Sequence, residues 1–286
     1  MRTENHVPGQ AVPGSGPVRR ALDPDALRTA VVRPGGLWRD LAVTGVTGST
    51  NADLLARAAD GAPEGIVLAA EEQRAGRGRM GRAWVSPPRA ALTFSVLLRP
   101  LPVPPARLGW LPLLAGVAVA AAVRAVTAVH AQLKWPNDLL ARDRKLGGIL
   151  AEASGGAVVV GIGLNVSTEP DELPPVASPS GSLAATSLRA EGWASPDRDL
   201  LLTALLGELE HWYLAWRRAG GDPGRCGLAE EYTRLCGTIG RQVRVELPGG
   251  HLVRGLATGI DPAGRLLVRV PDGEVPVSAG DVVHVR

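Results

Sequence analysis

Several residue types that define particular kinds of protein are scarce in this chain of 286 residues. There are two cysteines, Cys226 and Cys236, and their spacing matches no zinc motif or CxxC pair, so we expect neither a disulfide scaffold nor a structural zinc site. Residues 1–10 lack the apolar core of a signal peptide. The longest uncharged apolar stretch, residues 108–123, is shorter than the roughly 20 residues that span a bilayer. We therefore expect a soluble, cytoplasmic protein with no membrane segment.

Lysine is almost absent, although basic residues are not. Of the 31 basic residues only Lys134 and Lys145 are lysines, and the rest are arginines. An ammonium group is a compact charge that a planar guanidinium cannot always replace, so a specific role for these two lysines is favoured. The net charge of +3 is weak support for an anionic ligand and does not require a nucleic acid.

The distribution of apolar residues, glycine and proline divides the chain into three parts. Residues 1–20 are predicted to be a disordered tail. Residues 21–235 alternate helices with apolar strands, which predicts an α+β domain. Residues 236–286 contain four short alternating strands separated by tight turns, which predicts a small β-barrel. Helices are predicted at residues 23–32, 52–61, 108–129 and over about 20 residues from Ser195. Strands are predicted at 40–46, 65–73, 91–100, on both sides of a turn within 131–141, and at 145–154 and 157–167.

A loop rich in arginine and glycine follows the strand predicted at 65–73. Residues 74–84 contain four arginines and three glycines. The glycines formally match the dinucleotide fingerprint, but Trp84 and the Ser-Pro-Pro of residues 86–88 cannot open the helix that this fingerprint requires. No GK[ST] follows, which excludes a Walker loop. The loop suits a polyphosphate that is grasped and covered, and the alternative is a solvated basic turn or a nucleic-acid contact.

Both lysines lie in or beside turns that carry polar residues. Pro136 favours a turn that displays Lys134, Asn137 and Asp138. The two oxygen-bearing side chains could ligate Mg²⁺ while Lys134 contacts a phosphate, and a plain β-turn is the alternative. Lys145 precedes a pair of glycines, which would let a ligand approach the backbone; otherwise it is an exposed lysine on a hairpin.

Two further segments combine small and polar residues. Residues 161–165 read GIGLN, either a glycine-lined strand beside a ligand or a strand interrupted by glycine. Residues 49–51 read STN, either a helix cap or a site for a small polar ring at a helix N-terminus. The five histidines are scattered, and we expect none to be a ligand. With no Ser-His or HExxH pattern, the sequence favours charge neutralisation and positioning, as in phosphoryl or nucleotidyl transfer.

In this order, the segments resemble those of the biotin protein ligases, also called biotin–[acetyl-CoA-carboxylase] ligases. The family patterns STN, GRGRxGRxW, KWPND, KxxGI and GxGxN correspond to residues 49–51, 76–84, 134–138, 145–149 and 161–165. The resemblance covers about residues 40–286. It implies a catalytic domain with a mixed sheet and flanking helices, similar to class II aminoacyl-tRNA synthetases, followed by an SH3-like barrel. It also implies two steps, in which biotin and ATP form biotinyl-5′-AMP and biotin then passes to a carrier lysine.

The resemblance further implies which residues bind the substrates. The catalytic residues would be Lys145, Arg79 and Lys134. Biotin would be bound by Ser49, Thr50, Asn51, Gln73, Arg77, Gly78, Arg79 and Lys145. ATP would be bound by Arg77, Arg79, Arg82, Trp84, Lys134, Asn137 and Asn165. Magnesium accompanying ATP would be bound by Asn137 and Asp138.

The implied macromolecular partner is the biotin carboxyl carrier protein of an acyl-CoA carboxylase, and we expect a monomer or weak homodimer. Some family members add an N-terminal winged-helix domain that represses transcription. Only 48 residues precede Ser49, so we expect no DNA binding. A lipoate or octanoate ligase of related fold is the alternative, which the intact GRGRxGRxW loop argues against. A nucleic-acid-binding module is disfavoured because one Phe and two Tyr offer few stacking surfaces.

Overall fold

A seven-stranded sheet forms the centre of the larger unit in a computed structural model that describes residues 19–174 and 183–285. The strands lie in the order β1-β2-β3-β7-β6-β5-β4. Only β1 and β2 are parallel, and the other neighbours are antiparallel, so the sheet is mixed as expected. Its strands are β1 Asp40–Thr44, β2 Ile66–Ala70, β3 Ala91–Leu98, β4 Gln132–Lys134, β5 Asp138–Ala141, β6 Arg144–Ser154 and β7 Ala157–Asn165.

Helices cover both faces of this sheet, which explains why all of β3 and nearly all of β7 are buried. The helices are α1 Pro24–Val31, α2 Thr50–Ala59, α3 Trp110–Val126, α4 Arg198–Arg218 and α5 Leu228–Leu235. Helix α3 is apolar on nearly every side and lies between the sheet and α4, in the main core. Helix α2 packs through Leu54 on the other face, against Leu68, Leu97 and Val159. The α+β architecture is confirmed.

The C-terminal unit is a five-stranded antiparallel sheet in the order β11-β10-β9-β8-β12, which agrees with the expected SH3-like domain. Its strands are β8 Gln242–Glu246, β9 Leu252–Ile260, β10 Leu266–Val270, β11 Gly273–Val277 and β12 Asp281–His284. The turn at residues 261–265 packs against the larger unit. Within it, the carbonyls of Asp261 and Gly264 accept hydrogen bonds from the indoles of Trp110 (3.2 Å) and Trp135 (3.1 Å).

Two sequence-based predictions need correction, and one helix was missed. The last predicted strand is two strands, because residues 278–280 turn the chain and Gly280 lies where a Cβ would be 2.7 Å from Val245. The helix predicted from Ser195 begins at Arg198, because the Asp197 side chain caps it by accepting from the amide of Leu200. Helix α5 was not predicted. The tail predicted at residues 1–20 lies almost entirely outside the described residues.

Among the described residues, no helix combines the length and apolar character that crossing a membrane requires.

Candidate active site

A cavity of about 420 Å³ lies over the sheet where β3, β6 and β7 meet the loop at residues 74–84. Its volume is in the range of small-molecule sites. Every residue that the sequence predicted for substrate or metal binding lines it. The segments 49–51, 73–84, 134–138 and 145–165, separated in sequence, therefore converge on one hollow.

Hydrogen-bonding side chains line one end of the cavity. Ser49 caps α2, and its hydroxyl accepts from the amide of Ala52 at 3.4 Å. The Gln73 carbonyl oxygen accepts from the amide and hydroxyl of Thr50 at 2.8 and 3.0 Å. The cap and the site therefore use the same segment, so the two interpretations of STN are compatible.

Asn51 is held in one orientation by a buried network. Its carbonyl oxygen accepts from the hydroxyl of Ser95 at 2.6 Å, and its amide donates to Glu152 at 2.7 Å. Its carbonyl oxygen would lie only 2.1 Å from a Cβ at residue 161, so this approach requires Gly161. An amide fixed on so many sides presents a rigid polar surface, which suits selective binding of a polar ring.

The arginine loop folds as a hairpin over the cavity. The amide of Gly78 donates to Arg82 at 2.7 Å, and the amide of Trp84 donates to Gly76 at 2.9 Å. Between them the backbone of Met80 has a φ of 55°, which makes a tight turn possible. The loop therefore lies over the cavity with the guanidinium groups of Arg77, Arg79 and Arg82 beside it.

The indole of Trp84 fills the space above Gly163. A Cβ at that position would lie 2.5 Å from the ring, so only glycine allows the approach. The indole N–H is buried and has no hydrogen-bond partner within the described part of the chain. A buried donor without a partner is costly, so this ring is suited to a ligand that supplies an acceptor or a stacking surface.

Both lysines share one carboxylate. The ammonium of Lys145 donates to Asp138 Oδ1 at 2.5 Å, and that of Lys134 lies 3.6 Å from Asp138 Oδ2. Lys134 and Asp138 are adjacent across the β4–β5 turn, and Lys145 is the second residue of the next strand. The two cations are therefore gathered by local strand pairing around an anion.

Burial and ion pairing have opposite effects on the pKa values of the groups in this cluster. Burial lowers the pKa of Lys134 from its usual value, although Asp138 partly offsets that effect. Burial alone would raise the pKa of Asp138, but the two lysines together lower it more, so its pKa lies below the usual range. Asp138 is therefore ionised at neutral pH and holds both lysines in place.

Asn137 and Asp138 are less suited to hold a resident magnesium ion than their residue types suggested. The carbonyl oxygen of Asn137 accepts from Arg79 at 3.3 Å, and its amide donates to the carbonyl of Ile149 at 2.9 Å. Both oxygen donors therefore face cations already. The described residues also contain no cluster of three His, Cys, Asp or Glu side chains that could bind a metal.

The C-terminal unit also reaches the cavity. Asp281 of β12 pairs with Arg82 of the hairpin, and Arg244 and Glu246 of β8 line the same hollow. The amide of Trp135 donates to the buried hydroxyl of Thr238 at 3.1 Å, at the start of that unit. The turn that carries both Lys134 and Asp138 is therefore supported from the C-terminal unit.

With this geometry in view, comparisons with known proteins identify the family. Residues 45–169 match the model of the biotin/lipoate A/B protein ligase family, and residues 238–285 match that of the biotin protein ligase C-terminal domain. The chain is 49% identical over 273 residues to the biotin--[acetyl-CoA-carboxylase] ligase of Mycobacterium tuberculosis, covering 94% of this chain and 98% of that one. This chain belongs to the biotin protein ligase family.

Two further relatives agree with this assignment. The bifunctional ligase/repressor BirA of Escherichia coli is 33% identical over 258 residues, which are 86% of this chain and 74% of that protein. The biotin protein ligase of Aquifex aeolicus, solved in complex with biotin and ATP, superposes with a TM-score of 0.71 at 26% identity, covering 87% of this chain and all of that one. Biotin, rather than lipoate, is named for the Mycobacterium tuberculosis and Aquifex aeolicus proteins.

Sequence reasoning missed residues that shape the site of this biotin protein ligase without carrying a recognised motif. Ser95 and Glu152 orient Asn51, and Asp281 pairs with the hairpin. Ser95 could have been found, because Thr93 and Ser95 place hydroxyls at alternate positions of an otherwise apolar strand. Asp281 has no such local signal, since its partner Arg82 is distant in sequence.

Proposed function

We propose that this cavity joins the carboxylate of biotin to the α-phosphate of ATP and then passes biotin to a carrier lysine. The first step forms biotinyl-5′-AMP and releases pyrophosphate. In the second, the carrier amine attacks the mixed anhydride, forms an amide and releases AMP. One observation carries the proposal: Arg79, Lys134 and Lys145 surround a single cavity that also holds a preorganised polar end.

The polar end is proposed to bind the ring of biotin. Ser49, Thr50 and Asn51 offer two hydroxyls and an amide, and Gln73 lies beside them. A fused ring with a urea group has both N–H donors and a carbonyl acceptor, and this set can satisfy them. Hydrogen bonds to Ser95 and Glu152 keep Asn51 from rotating. Binding of biotin would therefore cost little conformational entropy at this side chain.

The cationic centre is proposed to bring two anions together. The carboxylate of biotin would lie beside Lys145, and Arg77, Gly78 and Arg79 of the hairpin would hold the carboxylate and α-phosphate. Two anions repel each other in the ground state, and fixed cations offset this repulsion most where charge develops in the transition state. The side chain of Lys145 is one-third exposed and lines the cavity, so it remains accessible although it pairs with Asp138.

The remaining residues are proposed to bind the nucleotide. Trp84 offers its face to adenine above Gly163, and Arg82 and Asn165 line the same region. Lys134 and Asn137 lie at the phosphate side, and pyrophosphate leaves there. Magnesium accompanies ATP as its counter-ion, and its ligands come mainly from the phosphates and water.

The hairpin is proposed to protect the intermediate. A mixed anhydride hydrolyses in water, so a cover that excludes solvent preserves it until a carrier arrives. The carrier is proposed to be a biotin carboxyl carrier protein, and the setting the cytoplasm. We propose a monomer or weak homodimer as the working form.

Incubation with ATP, Mg²⁺, biotin and a purified carrier domain tests the function. Streptavidin blotting should detect biotin on the carrier only when all components are present. Replacing the acceptor lysine of the carrier with arginine should abolish the signal, which controls for non-specific labelling. Transfer of lipoate but not of biotin under the same conditions would show that the proposal is wrong.

A further inference from the structure

A segment that no motif marks lies beside two of the proposed site residues. Residues 183–188 run along the edge of the cavity, and Leu183 and Ala185 line it. The amide of Lys145 donates to the carbonyl of Ala184 at 2.7 Å, and the amide of Thr186 donates to the carbonyl of Lys145 at 2.8 Å. The backbone of Lys145 is thus tied to this segment on both sides.

Thr186 connects Lys145 to a second site residue. Its carbonyl accepts from the side-chain amide of Asn165 at 2.9 Å, while the amide of Leu188 donates to the carbonyl of Asn165 at 3.0 Å. Thr186 is fully buried. One residue therefore contacts both Lys145, proposed for the carboxylate of biotin, and Asn165, proposed for the nucleotide.

The hydroxyl of Thr186 is fixed by a buried carboxylate. It donates to Glu191 Oε1 at 2.7 Å, and the same oxygen accepts from Arg144 at 2.7 Å. The side chain of Glu191 is 1% exposed, and Arg142 lies 3.5 Å from its other oxygen. A carboxylate this deeply buried is costly unless it is paired, so the hydroxyl and guanidinium hold it in one position.

We propose that Thr186 and Glu191 form a clamp that positions Lys145 and Asn165 for formation of biotinyl-5′-AMP. Neither residue lines the cavity, so they act through the residues they hold and do not touch substrate. Arg144, the residue before Lys145 in β6, completes the clamp by binding Glu191. The carboxylate of Glu191 therefore holds both β6 and the segment at residues 183–188. This inference rests on the proposed roles of Lys145 and Asn165.

The decisive variants are Thr186→Val and Thr186→Ser. Valine keeps the shape but removes the donor to Glu191, whereas serine keeps the donor. A hydrogen bond to a charged group contributes enough free energy to affect how Lys145 and Asn165 are held. We therefore expect Thr186→Val to lower kcat for biotinyl-5′-AMP formation about tenfold. Thr186→Ser should stay within about twofold of wild type. The assay is single-turnover release of pyrophosphate at saturating biotin and ATP, at a temperature where each variant is folded.

The chain offers a matched control away from the site. The hydroxyl of Tyr213 donates to Glu64, which also binds Arg217, so the same hydroxyl, carboxylate and guanidinium groups recur between α4 and the turn that precedes β2. Tyr213→Phe should lower the Tm as Thr186→Val does but leave kcat unchanged. Equal kcat values in wild type, Thr186→Val and Tyr213→Phe would show that the clamp is only structural.

Other outcomes separate this inference from the proposed function. If the wild-type chain forms no biotinyl-5′-AMP, the proposed function fails, whatever the variants do. If wild type is active and Thr186→Val is not recovered folded, Glu191→Gln replaces it as the test, since it keeps the shape but weakens the bond to the hydroxyl. A roughly threefold fall in kcat supports the clamp, and an unchanged kcat overturns it.

Discussion

Two glycines of β7 lie at the two ends of the cavity, one at the end proposed for the biotin ring and one at the end proposed for the nucleotide, and substituting each should affect one substrate. Gly161 and Gly163 lie on the same face of the strand, because side chains alternate along it. A Cβ at Gly161 would lie 2.1 Å from the carbonyl oxygen of Asn51, and one at Gly163 would lie 2.5 Å from the ring of Trp84. Ordinary contacts between carbon atoms are about 3.5–4.0 Å, so Gly163→Ala requires the indole to move by roughly 1 Å.

The size of the effect follows from the cost of that displacement. Forcing an extra carbon into a packed site costs about 1–3 kcal/mol, which corresponds to roughly 5- to 150-fold in an equilibrium constant. We expect Gly163→Ala to raise the KM for ATP by about tenfold or more, with little change for biotin. Gly161→Ala should do the reverse, because Asn51 is bonded to Ser95 and Glu152 and cannot easily turn away.

Steady-state pyrophosphate release at varied ATP and at varied biotin measures both effects. Gly207→Ala is the control, because a Cβ there meets nothing within 4 Å on the exposed side of α4. It should leave both KM values unchanged and increase the stability of the helix slightly. If Gly163→Ala raises the KM for biotin but not for ATP, the proposed division of the cavity between biotin and ATP is wrong.

Three further predictions follow from the charges of the site and its surroundings. Lys145→Arg should lower kcat for biotinyl-5′-AMP formation about 100-fold although charge is retained, whereas Arg269→Lys, at an exposed position of β10, should leave kcat unchanged. A change within about threefold for Lys145→Arg would contradict its role. Arg79→Ala should release biotinyl-5′-AMP and label unrelated proteins, visible on streptavidin blots, and labelling confined to the carrier would argue against this. Burial, together with the charges of Lys134 and Arg241, lowers the pKa of His284 from 6.5 to about 4. The unfolded chain therefore binds a proton first, so the unfolding free energy should fall as the pH is lowered from 6.5 to 4. Because the imidazole is about half exposed and solvent screens its charge, we expect a fall of on the order of 1 kcal/mol. Urea titrations of wild type and His284→Gln at both pH values check this, and an equal fall in both proteins would contradict it.

Local patterns were sufficient to predict most of the large sheet and its helices. Helix α3 was predictable because its residues are apolar around the whole circumference, and α1 because Asp23 accepts from the amides of Asp25 and Ala26. Helix α5 was missed since Gly227 precedes it in a left-handed conformation and no side chain caps it. A helix that depends on packing rather than on a cap leaves little local signal.

The candidate site was predictable where residue choice is constrained by chemistry. Lysine and asparagine are rare in this chain, and the cavity is lined by Lys134, Lys145 and Asn137. The supporting residues were not predictable, because Thr186 and Glu191 are ordinary residue types whose roles exist only after distant segments pair. Contacts across long sequence separations depend on topology, which a single sequence leaves open.

The turn at residues 261–265 has a practical consequence for anyone who wants a smaller labelling reagent. Cutting the chain after Cys236 would expose the indoles of Trp110 and Trp135 to solvent and deprive both of their carbonyl acceptors. Trp135 is next to Lys134 in the sequence, so losing its contact would disturb the neighbour of a residue proposed to bind phosphate. A shortened version would need a redesigned surface at these two tryptophans, whereas insertions in the exposed turn at residues 248–251 leave this contact intact.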